Sequence, residues 1–487
     1  MSRFLVENPH PGATTCILIG GLGGLDAALF RSYRHILWWR HDEGSRRILA
    51  GAVESADPAA PDPGATIERF LRRDPRNLPA LYVTVDTPVA AYAAVIAATH
   101  ATLESAHRTR FTRQKDGFTW QKHLLQNAPA YTRQRLPDSW AGALRGLPAF
   151  ICGAGPSLDL SLPALAAAAD RAVIFSADSA LRALAHHGVV ADFAVSIDAA
   201  KVPEKCLPAT HTPPRIVLAS VSPPAWQTAL PSTQTFFLSG PQVTDDWLAT
   251  HGVPRTALAV AESCGSTALE LAHHLGCDPI YLFGLDLAVD PANQARRHQA
   301  HADPALYAQS HYDPTSSLPR VPGNYTETVP CFAFGDWREL DARLAARPDS
   351  HVINVTDRGA RLRGTTVVHP GQFTLDAPAG AKTARLALIS AHATTAPTAL
   401  AHLRALGERN HQALPALHQA FAQGGPAALA AAFVPLVVDP ENGRALGAFA
   451  LKLMPHLVPP IAGDAALWQT LLDEFTELSA LMRSQPE

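Results

Sequence analysis

The chain has 487 residues, 47% hydrophobic and 17% charged, with 40 Lys and Arg against 43 Asp and Glu and a formal net charge of −3. That length exceeds one core and predicts two or three domains, and the apolar fraction excludes wholesale disorder. No basic stripe stands out, which argues against a nucleic-acid partner. The first thirty residues lack a charged segment followed by an apolar one, so no secretory leader is expected. No apolar stretch is expected to reach the roughly 18 residues that cross a bilayer. Cys16, Cys152, Cys206, Cys264, Cys277 and Cys331 are scattered without a Cys-x-x-Cys pair. Free thiols in a reducing cytoplasm follow.

Residues 1–146 read as a small α/β domain. Thr15–Leu25 is a strand breaking into a glycine turn, Gly20–Gly24, with a helix from Asp26. Ile36–Trp39 and Leu81–Val85 read as further strands, and the Pro-, Ala- and Asp-rich Ala56–Ala65 as a loop. The glycine turn fits a ligand site or the tight packing of a small α/β unit equally well.

Residues 147–375 alternate short apolar runs with helical stretches, the pattern of a Rossmann-like parallel sheet covered by helices. The predicted strands are Ala149–Cys152, Ala172–Phe175, Phe193–Val195, Ile216–Ala219, Thr235–Leu238, Ile280–Phe283 and His351–Ile353. Nearly all are continuously apolar, as strands buried on both faces are. Asp290–Pro330, rich in polar, His, Tyr and Pro residues, interrupts the order and is long enough for a lid or an acceptor-binding segment. Residues 376–487 turn alanine- and leucine-rich and predict helices near Ala384–Ala393, Pro397–Leu406, Pro426–Ala432, Arg444–Met454 and Leu467–Met482. Gly424-Gly425 and Pro459-Pro460 punctuate them.

The most informative ten residues are Phe150–Asp159, where an apolar strand gives way to Gly153-Ala-Gly-Pro-Ser157 and a helix running to about Ala169. Two glycines permit a sharp turn and close approach to a ligand. Pro156 suits the first helical position, and the helix start is a seat for phosphate. Leu158 stands where the dinucleotide fingerprint has its third glycine, which disfavours an NAD-type site. Ligands of open parallel sheets bind outside the carboxyl ends of the strands. Here those ends carry Ser176-Ala-Asp178-Ser179, Ser196-Ile-Asp198, Ser220-Val-Ser222, Ser239-Gly240, Gly284-Leu-Asp286 and Asn354–Gly359.

Singly, each such group serves as a helix cap or turn residue; together around the glycine turn they point to a site. Asp178, Asp198 and Asp286 are the acid/base or Mg²⁺ candidates. His298-x-x-His301 lacks the Glu of a zincin and reads as a solvated helix face, whereas His311, in the irregular insertion, reads either as a surface histidine or as a base reaching over the strand ends. Neither a Gly-x-Ser-x-Gly elbow nor a P-loop is present, which removes serine hydrolases and P-loop kinases.

These motifs resemble the motility accessory factor (Maf-type) flagellin glycosyltransferases, whose central domain is shared with MptE-like 6-hydroxymethylpterin diphosphokinases. The resemblance covers roughly residues 147–370. It rests on Gly153–Asp159, Phe175–Leu181, Asp192–Asp198, Ala268–Ala288 and Asn354–Gly364. The turn Gly20–Gly24 resembles the start of the Maf-type N-terminal domain more weakly, and Trp39-Arg-His-Asp42 departs from the acidic strand end usual there.

The resemblance implies a sialyltransferase-like central domain that moves a nonulosonic sugar from a CMP-activated donor to Ser or Thr of flagellin. It would place Gly153, Gly155, Pro156 and Ser157 on the nucleotide phosphate and Ser176, Asp178, Ser179, Ser196 and Asp198 around the nucleotide or sugar. Asp286 would close the far side. Asp198 is the first candidate for the base and His311 the second. The alternative implied by the same likeness is a diphosphokinase holding Mg²⁺-ATP on Asp178, Asp198 or Asp286; a third is a non-catalytic nucleotide-binding assembly module. No other cofactor is expected, and neither a nucleic-acid nor a membrane partner.

Overall fold

The computed structural model describes residues 4–7, 13–21, 27–40, 52–71, 73–74, 78–84, 89–231, 234–289, 296, 298, 318–387, 389, 397–457 and 464–486. The chain divides into two compact units, Met1–Gly117 with Leu451–Gly463, and Phe118–Ala450 with Asp464–Glu487. The composition changes near 146 and 376 thus fall inside the second unit. His301, His311 and residues 22–24 of the N-terminal glycine turn lie outside the described residues.

The first unit carries a five-stranded sheet. Its strands are β1 (Phe4–Glu7), β2 (Thr15–Ile19), β3 (His35–Trp39), β4 (Ala52–Ala56) and β5 (Ala80–Thr84), in the order β1-β5-β2-β3-β4. All pairs are parallel except β1 with β5. Alternation along β2 and β3 feeds two cores: Ile17, Ile19, Leu37 and Trp39 pack with Ile67 and Phe70, while Cys16, Leu18, Ile36 and Trp38 pack with Phe30. Burial on both faces is why these strands are apolar throughout. β4 (AVESA) escapes an apolar reading because it is an edge strand with no fully buried residue. The expected loop Ala56–Ala65 is shorter than read, because a helix begins at Pro63, where its missing N–H leaves nothing unpaired. A 43-residue helix, Val89–Tyr131, follows.

The second unit holds eight parallel strands. They are β6 (Ala149–Cys152), β7 (Val173–Ala177), β8 (Phe193–Ser196), β9 (Ile216–Ala219), β10 (Thr235–Leu238) and β11 (Ile280–Phe283), then, after a hairpin of β12 (Arg320–Pro322) and β13 (Thr328–Pro330), β14 (Val352–Val355) and β15 (Thr365–Val368). Their order is β10-β9-β8-β7-β6-β11-β14-β15. All seven strands read from the sequence are present. The hairpin lies inside the stretch read as irregular, and β15 is an edge strand of mixed Thr and Val.

Order reverses between β6 and β11, the switch point where doubly wound sheets open a crevice. Phe175 stacks on Phe193 at 5.0 Å on one face, and Phe150, Tyr281, Phe283 and Phe373 cluster on the other. Asp192 accepts a bond from the Ile174 amide at 2.8 Å and pairs with Lys382 at 2.7 Å, tying the helix Ala381–Leu386 to β7 and β8.

Helices dominate the last hundred residues. Pro397–Val438 breaks at Gly425, whose φ of 64° and ψ of −157° leave the helical region. It is followed by Pro440–Ala445, Gly447–Leu457 and Ala465–Arg483. The expectation that no stretch could span a bilayer is corrected: Thr398–Val438 is long and apolar enough by length and composition. Ala, Leu, Val and Phe share its apolarity, interrupted by Gly424-Gly425 and Pro426. Phe433 of that helix packs against Trp468 and Phe475 of Ala465–Arg483.

At the β9 and β10 ends a polar network is buried. Asp245 accepts from Ser220 Oγ and the Gly240 amide, each at 3.0 Å, while Tyr131 and Arg135 meet at Ser239 Oγ. Burial raises the Asp245 carboxyl from 3.8 to about 6. The folded state therefore holds this proton more tightly than the unfolded one. The resulting stabilisation is complete below pH 3.8 and disappears as the pH rises through 6. Asp245→Asn, which keeps an oxygen for Ser220 and Gly240, is expected to flatten the stability–pH slope between pH 4 and 6. It should raise stability at pH 7–8 by up to about 3 kcal/mol in chemical denaturation.

Candidate functional site

The glycine turn after β6 is fastened to the turn after β11. Gly153 donates its N–H to Phe283 O at 2.8 Å, Gly155 to Gly284 O at 2.7 Å, and Ser157 to Asp286 Oδ2 at 2.7 Å. A Cβ on Gly153 would lie 2.5 Å from Gly284 O, and one on Gly155 would lie 2.4 Å from Asp286 Oδ2. Gly284 itself has φ of 64°. The glycines are thus required by two backbones crossing at the switch point, and the amides expected to cradle phosphate are bonded within the protein. Asp286 is buried, its other oxygen accepting from Thr356 Oγ1 at 3.2 Å, and burial pushes its carboxyl up despite these bonds. Gly359 also closes on it, a Cβ there falling 2.8 Å from Oδ1.

Beside this closed crossing lies a cavity of about 350 Å³. Gly153, Ala154 and Gly155 border it from β6; Ala177, Asp178 and Ser179 from β7; Ile197, Asp198 and Lys201 from β8. Gly284, Leu285 and Leu287 follow β11, Glu262 to Gly265 open the helix Cys264–His274, and Phe332, Ala333 and Asp336 complete the wall. Leu287 has φ of 53°, rare for a side chain that size, and its carbonyl accepts from Cys331 Sγ at 3.1 Å.

Of the residues singled out in the sequence, Gly153, Gly155, Asp178, Ser179 and Asp198 meet at this cavity. Pro156, Ser157, Ser176, Ser196 and Asp286 are not among its lining residues. Pro156 and Ser157 are buried in the crossing, Ser176 Oγ bonds Ala177 O at 2.8 Å, and Ser196 Oγ donates to Asp178 Oδ2 at 2.7 Å. In this structure they lie behind the cavity wall rather than on it. His311 falls outside the described residues.

Asp178 sits at the centre. Ser179 Oγ donates to its Oδ1 at 2.9 Å, and Cys264 Sγ reaches Oδ2 at 3.6 Å. Burial raises its carboxyl, with Ser196 and then Lys201 pulling the other way. The Cys264 thiol is driven up, first by burial and then by the Asp178 charge. Asp198 is exposed and its Oδ1 accepts only the local Ala200 amide, at 2.8 Å. Glu262 pairs with Arg343 at 3.0 Å.

Among the described residues no group of three or more His, Cys, Asp or Glu could hold a metal ion. Asp286 is occupied by Ser157 and Thr356 and Asp178 by three donors, so the Asp178, Asp198 and Asp286 set does not fit Mg²⁺.

His298 departs most from its sequence reading. Instead of a solvated face it is fully buried, its amide donating to Ala154 O and its Nε2 meeting Ser179 O, both at 3.1 Å. Lys201, Glu262 and Asp336 have no place in the sequence reading, and Cys264 enters it only as one of six scattered thiols. Only Lys201, three positions beyond Asp198 at a strand end, carried a usable signal.

Residues 122–291 match the family model described as 6-hydroxymethylpterin diphosphokinase MptE-like. That segment is similar to the MptE-like family. It begins within the long helix and ends just past the cavity segment of β11, and so includes most of the cavity. The fold is similar to the solved structure of a MAf glycosyltransferase from Magnetospirillum magneticum AMB-1. The TM-score is 0.56 and the identity 18%, over 99% of this chain and 80% of that one. No curated protein matches the chain. The likeness to the Maf-type and MptE-like proteins read from residues 147–370 is thus upheld.

Asp286→Ala is expected to lower unfolding stability by about 2–4 kcal/mol, because it strands the buried Ser157 amide. Asp286→Asn, keeping one acceptor, should lose less than half as much in the same thermal or denaturant unfolding measurement.

Proposed function

We propose that the chain is a glycosyltransferase that moves a nonulosonic sugar from a CMP-activated donor to Ser or Thr of a protein acceptor such as flagellin. The observation that carries this reading is the cavity at the carboxyl ends of β6, β7, β8 and β11, most of whose wall falls within the matched residues 122–291. The likeness to a MAf glycosyltransferase over nearly the whole chain supports it. In the reaction the acceptor hydroxyl oxygen bonds the anomeric carbon, the bond from that carbon to the phosphate oxygen breaks, and CMP departs.

Asp198 is the base in this proposal. Asp178 holds three protein donors and Glu262 is paired with Arg343, whereas the Asp198 carboxylate is exposed at the cavity edge. Asp178 and Ser179 orient donor hydroxyls, and Gly153 and Gly155 shape the wall. Positioning and stabilisation of the departing phosphate supply most of the acceleration. Six unpaired thiols fit a cytoplasmic site of action.

The match of residues 122–291 favours one second reading, pyrophosphate transfer from ATP to a hydroxymethyl pterin. Product analysis separates the two. The expected outcome is sugar on flagellin with CMP released, falling about 100-fold or more in Asp198→Asn. AMP release with a pterin, and no sugar transfer, would replace the proposal with the second reading. Neither product would leave a nucleotide-binding assembly module. Ala333→Trp, which fills the cavity from its rim, should abolish stabilisation of the chain by CMP in thermal unfolding.

A further inference from the structure

The geometry points to Lys201 as the group that binds the donor's phosphate, held in place by Trp226, a residue outside the cavity. This rests on the nucleotide-donor reading above. The glycine turn cannot supply the contact, because the amides of Gly153, Gly155 and Ser157 are bonded to Phe283 O, Gly284 O and Asp286.

Among the described lining residues Asp178, Asp198, Glu262 and Asp336 are acidic and Lys201 alone is basic. The acidic members cannot receive an anion, so the positive features of the wall decide where one goes. Lys201 forms no ion pair within 4 Å with a described carboxylate, yet its charge reaches Asp178 and opposes the effect of burial there. The helix Cys264–His274 starts on the same cavity, with Cys264 and Gly265 in its wall and Cys264 Sγ against Asp178. Its positive end thus adds to the ammonium near the same carboxylate. A nearby guanidinium, Arg296, lies 5.6 Å over the ring of Phe332.

The Lys201 backbone is fixed in two steps. The Asp198–Lys201 turn closes on itself, with Lys201 N–H donating to Asp198 O at 3.1 Å and Ala200 N–H to Asp198 Oδ1 at 2.8 Å. Fully buried Trp226 then donates its Nε1–H to Lys201 O at 2.8 Å. That bond ties the turn to the helix Ala225–Ala229. Trp226 is not among the residues lining the cavity, so any effect on phosphate binding passes through Lys201. It is a positioning residue.

The test is calorimetric binding of CMP and of cytidine, which lacks the phosphate, to the full chain. The parent is expected to bind CMP more tightly than cytidine. Lys201→Ala should weaken CMP about tenfold or more without changing cytidine, and Lys201→Arg should restore part of the difference. Trp226→Phe, which keeps the ring and deletes the donor, should weaken CMP several-fold, leave cytidine unchanged, and add nothing in the Lys201→Ala background.

Unchanged CMP affinity in Lys201→Ala, with the parent binding CMP, would overturn the phosphate assignment while leaving the donor reading intact. An equal loss of cytidine in Trp226→Phe, or a loss that persists without Lys201, would overturn the positioning role. A parent chain that binds neither ligand would overturn the donor reading and the inference together.

Discussion

Two backbones cross at the point where strand order reverses, and the rest of the central sheet's functional edge is arranged around that crossing. Gly153 and Gly155 on one side and Gly284 on the other approach so closely that a Cβ on any of them would strike carbonyl oxygen or carboxylate. Asp286 fastens the contact by accepting the Ser157 amide and the Thr356 hydroxyl. A buried carboxylate is costly to desolvate, and these donors, together with the closed backbone around it, make the arrangement tenable.

Closing the crossing displaces the ligand space. In an open doubly wound sheet the crevice lies at the switch point itself. Here that point is filled, and the cavity opens beside it, toward the ends of β7 and β8 and the start of the helix Cys264–His274. Its chemistry is mixed. Asp178 is buried, raised and bonded to three protein donors, which leaves one acceptor site, whereas Asp198 and Lys201 share a short turn at the rim with their charged groups available. Such a wall suits a ligand carrying both hydroxyls and an anionic group.

The sheet was legible because strands buried on both faces must be apolar throughout; that is why Ala149–Cys152, Ile216–Ala219, Thr235–Leu238 and Ile280–Phe283 were located residue for residue. Edge strands such as Ala52–Ala56 and Thr365–Val368 lack that requirement and left no pattern. The helix Val89–Tyr131 carries apolar and polar residues all round, so no stripe marked it. Strand ends told where the site would be but not which side chains would face it. Ser176 and Ser196 turn inward, and the Gly-Ala-Gly-Pro-Ser sequence serves a backbone contact as well as it would serve a phosphate. Residues from distant segments, Glu262, Cys264 and Asp336, reach the cavity only through the fold. His298 shows the same limit: a polar neighbourhood in sequence became a buried bridge between two strand ends.

Amide hydrogen exchange at Gly155 and Ser157 tests the closed crossing most directly. Both amides are expected to exchange only with unfolding of the central sheet, and to keep that protection unchanged when nucleotide is added. Fast exchange in the free chain, slowed by nucleotide, would show the turn open to ligand and contradict the account.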